Sequence, residues 1–276
     1  MAFEEILDWV ILSDIHSGCQ LSLCPPTGAK MDEGGSYMPS IIQRKIWGYW
    51  KEFWDWVPVA TKHRKFGVIF NGDAIDGVHH GSTYQISHNL ADQANIAYEI
   101  LAPIVESCEG RFYMIRGTEA HVGKSGVEEE LLAKRLGAIP NEIGQSARFE
   151  LWKKVGGNLV HVMHHIGTTA SQAYEATAVH RELTESFIEA ATTGEKPPQI
   201  VIRSHRHRYI QTTIPTVYGR AEAAVTPGWQ AKTPFCYKIA GARLSQPQFG
   251  GLLVRQGDEE IFVKPWVKKL KRSRAE

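Results

Sequence analysis

The amino-acid sequence predicts an α/β layered domain, on three observations. Short apolar, β-branched runs recur along the chain, helical apolar periods fall between them, and the stretch from about residue 211 to 263 has turns and strand-like runs but no helical period.

Each element follows from its local pattern. Residues 9–12 (WVIL) have the length and β-branched content of a buried strand and lead into Asp14 and His16. On an extended chain those two side chains share a side and could grip one object. Residues 17–37 are rich in Gly, Pro and Ser and read as a long loop, a common part of a site rim. Ile42, Ile46, Tyr49, Trp50, Phe53 and Trp54 recur at helical spacing, with Pro58 as the expected end. These aromatics could stack bases, but such a stripe is the pattern of a core-facing helix. Residues 67–70 repeat the opening strand and end in a turn with Asp73 and Asp76. A helix is expected over about 86–107, then a strand in RFYMIRGTEAHVG, then a short helix, VEEELLAKRLG, closed by Gly137. NLVHVMHHIG reads as a strand ending in His164 and His165. The segment 168–194 reads as a long helix stopped by Gly194 and Pro197, and QIVIRSHRHRY as a strand ending in His205 and His207.

With 276 residues, 43% hydrophobic and 22% charged, the chain has ordinary globular composition, and no linker divides it; one domain over 1–276 is expected. A formal charge of +1 gives no global field that advertises nucleic acid or membrane. The basic tail, about 265–276, is the exception: Lys268, Lys269, Lys271, Arg272 and Arg274 crowd there beside Lys264. It reads as a solvated end or a phosphate contact. The four cysteines form no CxxC pair, which argues for free thiols in a reducing compartment. The acidic start and the lack of an apolar stretch of spanning length lead us to expect a cytoplasmic protein without membrane contact.

The chemistry lies at the strand ends. Five apolar strands each lead into metal-capable residues: Asp14 and His16; Asp73; the GTEAH cluster; His164 and His165; His205 and His207. Ligands in open α/β sheets bind beyond the carboxyl ends of strands, so these five ends could build one cage. Mixed carboxylate and imidazole without thiolate suits Mn²⁺, Fe, Zn²⁺ or Ni²⁺. Six or seven such ligands exceed one tetrahedral centre, and two ions sharing a bridging carboxylate fit better, with Asp73 at the middle strand as the bridge. Paired metals about 4 Å apart clamp both oxygens of an in-line displacement at phosphorus and lower the pKa of a bound water.

The order D-x-H, G-D-x-x-D, a G-N-H-like element, H, then x-H-x-H resembles the calcineurin-like metallophosphoesterase superfamily. Here the elements are Asp14-Ile-His16, Gly72-Asp73-Ala-Ile-Asp76, Gly117-Thr-Glu-Ala-His121, His164 and Ser204-His205-Arg-His207. The stretch TPGWQAKTPF at 226–235 looks like that of members carried in phage genomes. The resemblance implies a four-layer β-sandwich flanked by helices and two divalent transition ions, Mn²⁺ foremost. It implies that Asp14, His16 and His207 hold one ion, that Asp73 bridges, and that His164 and His205 hold the other. It implies hydrolysis of phosphate esters by a metal-bound hydroxide, diesters before monoesters, with DNA or RNA as a candidate substrate.

Two departures from the family pattern shape the site. Thr118 and Glu119 stand where the family has its metal-binding Asn and its acid His, and the histidine is displaced to His121. We therefore expect Glu119 to face the metals, and His121, on the same side of an extended turn, to give the leaving group its proton with Asp76 as a catalytic partner. Gly77 follows Asp76, where protein phosphatases of the superfamily carry a phosphate-gripping Arg, and this favours diesters. Thr118, His79 and His165 are candidate substrate contacts, with His80 beside His79; His79 and His80 also fit ordinary surface positions, and His121 also fits a cap on the turn before Gly123. Adjacent His164 and His165 cannot both face the site from a strand, and the resemblance favours His164 as the ligand. Trp229 either walls the pocket or packs. Ser13, Ser17 and Asn71 read as supporting groups. The alternatives are a phosphomonoesterase and a nucleic-acid-binding protein with an impaired metal site.

Overall fold

The structure, a computed structural model, describes residues 5–79, 81–122, 125–167, 171–238 and 245–270. Its first strand, β1 (Asp8–Leu12), is buried along its whole length, and its side chains serve two layers. Trp9 and Ile11 face a core between two sheets, while Val10 and Leu12 face a core beneath helices. Alternation along a strand divides the residues this way.

After β1 come a small hairpin of β2 (Ala29–Lys30) and β3 (Ser36–Tyr37), then α1 (Ile41–Ala60), β4 (Gly67–Asn71), α2 (Leu90–Ser107) and β5 (Phe112–Ile115). The single turn α3 (Glu119–Val122) leads to α4 (Val127–Arg135), β6 (Ala147–Arg148), β7 (Glu150–Val155) and β8 (Asn158–Met163). Next are α5 (Glu175–Thr193), β9 (Ile200–Arg203), β10 (Ile210–Thr216), β11 (Gly219–Val225), β12 (Gln248–Gln256) and β13 (Ile261–Lys269).

Among the described residues, one sheet has the order β13-β12-β1-β4-β5-β6 and the other β10-β11-β9-β8-β7. Strands β1, β4, β5 and β6 run parallel, with Val10 opposite Val68 and Phe70 opposite Met114. Strands β11, β9 and β8 are likewise parallel. Ile46, Trp50 and Phe53 of α1, Ile96 and Ile100 of α2 and Leu132 of α4 cover the first sheet, while Val179 and Leu183 of α5 cover the second. The result is a four-layer sandwich, helices–sheet–sheet–helix. Parallel strands place their carboxyl ends along one edge, and that edge carries the site.

Several expected boundaries move. Helix α1 passes through Pro58 to Ala60, because a proline in the last turn removes only its own N–H from the ladder. Ser40 caps its start with a full capping box. Helix α2 starts at Leu90, not near 86, because the Asn89 side chain caps Ala91 N–H. Helix α5 starts at Glu175, after a single 3₁₀ turn (Gln172–Tyr174), and residues 168–170 of the expected helix lie outside the described residues. Strands β6 and β7 carry no signal strong enough to be expected; β7, with its alternation of exposed and buried residues, is a one-sided edge strand. The basic tail begins inside β13, where Lys268 pairs with Phe249 and its ammonium meets Glu52 at 2.6 Å. Lys271, Arg272 and Arg274 lie outside the described residues. Cys19, Cys24 and Cys108 are buried free thiols, raised by burial to about 12, 12 and 11. Among the described residues no helix is long and apolar enough to cross a membrane.

Candidate metal centre

The strands end before the functional side chains begin. Asp14 and His16 lie beyond β1, and Asp73 beyond β4, all with positive φ (55°, 42° and 56°); His205 and His207 follow β9 with φ of 70° and 52°. Such a backbone is costly for non-glycine residues, about 1–3 kcal/mol each, and persists where surrounding contacts enforce it. Asp14 and His16 thus share a side because of tight left-handed turns, not because of the extended chain that spacing suggests. Backbone bonds hold the turns together: Asp14 N–H to Gly72 O at 2.9 Å and His16 N–H to Asp73 O at 3.1 Å.

Three groups of potential ligand atoms result among the described residues, two of them built on Asp14 and Asp73 and the third, His16, Asp76 and His121, sharing His16 with the first. In the first, His207 Nε2 lies 3.2 Å from Asp14 Oδ1 and 3.0 Å from His16 Nε2. In the second, Asp73 Oδ2 lies 3.1 Å from His164 Nε2 and 3.9 Å from His205 Nδ1. Asp73 Oδ2 also stands 4.0 Å from His16 Nε2, which places it between the groups. Asp14 Oδ1 and His164 Nε2 are buried without a hydrogen bond. Buried polar atoms left orphaned ask for a partner, and a divalent cation suits facing imidazole and carboxylate lone pairs. The residues present fit such an ion.

Without one, the groups compensate each other. Burial alone would raise Asp73 and Asp14, but neighbouring histidines outweigh it: His164 and His121 hold Asp73 well below the carboxylate range, and His207 and His164 lower Asp14. Burial would lower His164, yet Asp73 and Asp14 push it up to about 10. Burial, with His121 and His207 alongside, drives His16 well below its usual value.

His164 is the member of its pair that enters the site; His165 is exposed, its ring 5.9 Å from that of His205. The Nδ1 of His121 bonds Asp76 O at 2.6 Å, leaving Nε2 3.9 Å from Asp73 Oδ2. His79 stands beside it, ring centroids 4.5 Å apart, while His80 lies outside the described residues. Asp76 meets His121 through its backbone only. Its buried carboxylate accepts from Gln85 at 2.8 Å and Gln230 at 3.1 Å and faces His16 Nδ1 at 3.6 Å. Thr118 is turned inward, its N–H to Asp73 Oδ1 at 2.7 Å and its hydroxyl to the same oxygen at 3.2 Å.

The expected extended turn at Glu119 is corrected: Glu119 opens the helical turn α3. Successive positions on a helix swing by about 100°, so residues two apart point to opposite sides. His121 turns inward, and Glu119 is exposed and joins none of the ligand groups among the described residues.

No family model matches this chain, and no curated protein does. Solved structures do. Vacuolar protein sorting 29 of Cryptosporidium parvum is 10% identical, with 97% of this chain and 100% of that one covered and a TM-score of 0.37. A hypothetical protein of Pyrococcus horikoshii is 9% identical over 94% and 88% of the two chains, with a TM-score of 0.43. SoxB of Thermus thermophilus, a sulfate thiohydrolase, is 12% identical over 98% and 57%, with a TM-score of 0.35. Likenesses this low leave the chemistry to be read from the side chains.

Sequence reasoning expected Ser13 and Asn71 as supporting groups but missed the roles of Thr226, Ser204, Gln85 and Gln230. A buried chain links the Asp14 and Asp73 groups: Ser13 Oγ bonds Asp14 Oδ2 and Thr226 Oγ1, Thr226 bonds Ser204 at 2.7 Å, and Asn71 bonds Ser204 at 2.6 Å while its carbonyl meets His164 Nδ1. The TPGWQ stretch explains itself here. Thr226 sits in that chain, a Cβ on Gly228 would lie 2.8 Å from the His207 ring, Trp229 N–H bonds Asp14 O and Gln230 holds Asp76. The Trp229 ring packs on Trp50 in the core, 4.8 Å between centroids, and does not wall the site. Gln85 carried no signal in the sequence.

Proposed function

We propose that this protein is a dinuclear metal-dependent phosphoesterase that prefers diesters, with nucleic acid as its candidate substrate. The observation that carries the reading is Asp73 Oδ2, within 4.0 Å of imidazole nitrogens of His164, His121, His205 and His16. Asp14, His16 and His207 would hold one ion, His164 and His205 the other, and Asp73 would serve both. A bound pair of ions, Mn²⁺ foremost, supplies Lewis acidity toward the phosphoryl oxygens and an acidified water.

The chain's own residues do the rest. His121 gives its Nδ1–H to the Asp76 carbonyl, so Nε2 is the atom presented; as imidazolium it can protonate a leaving oxygen, worth about 10²–10⁴-fold. Asp76 acts at one remove, orienting His16 from its Nδ1 side. Gly77 supports the diester preference. Its φ is +70°, and a Cβ there would stand 2.2 Å from His121 O, so the backbone has no room for a phosphate-gripping Arg. His79 and His165 border the site and are proposed substrate contacts.

The test is metal-stripped protein reloaded with Mn²⁺, Ni²⁺, Zn²⁺ or Mg²⁺ and assayed on an aryl phosphodiester and its monoester. About two ions per chain and a higher kcat/KM for the diester are expected. One ion or none in an active protein would end the dinuclear reading, and a monoester preference across metals would end the diester one.

A further inference from the structure

Three consecutive glutamates open α4, in positions where acids commonly serve the helix dipole. The fold gives two of them other work. Glu130 spreads its carboxylate over the N–H groups of Ser146 and Ala147, at 3.1 and 2.9 Å. Glu129 is 0% exposed and does the same in the interior: Oε1 accepts from Ala74 N–H at 2.8 Å and Oε2 from Gly117 N–H at 2.6 Å. Ala74 follows Asp73, and Gly117 precedes Thr118, whose N–H in turn bonds Asp73 Oδ1. One carboxylate therefore ties the loop after β4 to the loop after β5, on either side of Asp73.

The geometry points to Glu129 as the positioning residue that fixes Asp73 between the two metal positions, an inference that rests on the metal reading above. A neutral group would fill the same volume, so volume alone does not explain a carboxylate here. Burying it is costly, and Asp73 nearby adds like-charge repulsion. Two backbone donors on separate loops, each needing an acceptor, do explain it. Only a carboxylate offers two acceptor oxygens in a fork, whereas a carboxamide would set an NH₂ against one of the N–H groups. Each N–H it holds lies within a residue of Asp73 or of the Asp73 partner Thr118, so its loss releases the bridge and leaves the first ligand group, Asp14, His16 and His207, on its own turns.

The test is Mn²⁺ titration by calorimetry of full-length wild type, Glu129→Gln and Glu129→Asp, with manganese EPR for spin-coupled pairs and melting of the metal-free proteins. Wild type should take two ions with a coupled spectrum. Glu129→Gln should melt as a folded protein and bind both ions more weakly, one of them by about 10–100-fold, the range for lost partners of metal ligands, with the coupled signal gone. Glu129→Asp, which keeps both acceptors on a shorter arm, should recover part of the affinity. A Glu129→Gln protein with two sites of wild-type affinity would overturn the inference, as would weakened binding with the coupled spectrum intact. If Glu129→Gln does not fold, Glu129→Asp decides: wild-type affinity at both sites would refute the role. Wild type binding no Mn²⁺ would instead remove the metal reading, and this inference with it.

Discussion

Asp73 concentrates the chemistry of the site in one oxygen, and the sharpest tests fall on it and on its neighbours. Because Asp73 Oδ2 faces proposed ligands of both ions, Asp73→Asn should lower the affinity for both ions together and abolish turnover. Elemental analysis checks this; loss of one ion with full activity would mean that it does not bridge. His121→Ala should slow an alkyl diester severely and an ester of an acidic phenol hardly at all, since only the alkyl leaving group needs the proton. Equal losses with metals retained would remove His121 as the acid. Gly77→Ala tests the same neighbourhood through the backbone. Its Cβ, 2.2 Å from His121 O, must push that carbonyl by about 1 Å, and a shift of that size can cost about 10²-fold in rate. Unchanged kcat on the alkyl diester would show that the loop yields without moving His121.

At the scale of elements, the second sheet holds a buried histidine outside the site. His161 in β8 stacks on Trp152 of β7, rings 4.0 Å apart, and bonds Glu150 at 2.9 Å. Burial and the nearby Arg203 outweigh Glu150 and depress it from 6.5 to about 4. Between pH 6.5 and 4 the unfolded chain therefore takes up a proton that the folded one refuses, so this contribution to stability is whole above 6.5 and drains as pH falls toward 4. At about 1.4 kcal/mol per pH unit the full effect is about 3.5 kcal/mol. His161→Gln should flatten the Tm–pH curve in that window, and parallel curves for the two proteins would refute the assignment.

Across the whole molecule, the edge where the parallel strands end brings residues 14 and 207 into contact, so metal binding should stabilise the whole sandwich. Saturation at about 100 times Kd adds about 2.7 kcal/mol, and a chelator should lower Tm by several degrees. A Tm that ignores chelator would deny a built-in ion. The C-terminal tail divides at the end of β13. Truncation after Leu270 should leave small-ester turnover unchanged and, if the tail touches nucleic acid, flatten the salt dependence of binding. Truncation at 265 should destabilise the protein, because it strips Lys268 and its β12 pairing from the sheet.

Local pattern was enough to determine the strands of continuous apolar residues, the main helices and the order of the ligand motifs, because burial on both faces writes itself into consecutive residues such as Trp9 to Leu12. Between His164 and His165 local pattern left the choice open and the family resemblance favoured His164; the structure buries His164 and leaves His165 exposed. What the sequence could not carry was anything decided by long-range approach. Glu129 looks like Glu128 and Glu130 until α4 is laid against the loops after β4 and β5. Gln85 and Gln230, far apart in the chain, meet only at Asp76. Glu119 and His121 were separated by a single turn of helix, which no spacing rule announces for four residues. The motif residues supply donor atoms, whereas packing of separate segments sets where each atom points, and that direction is a property of the tertiary fold alone.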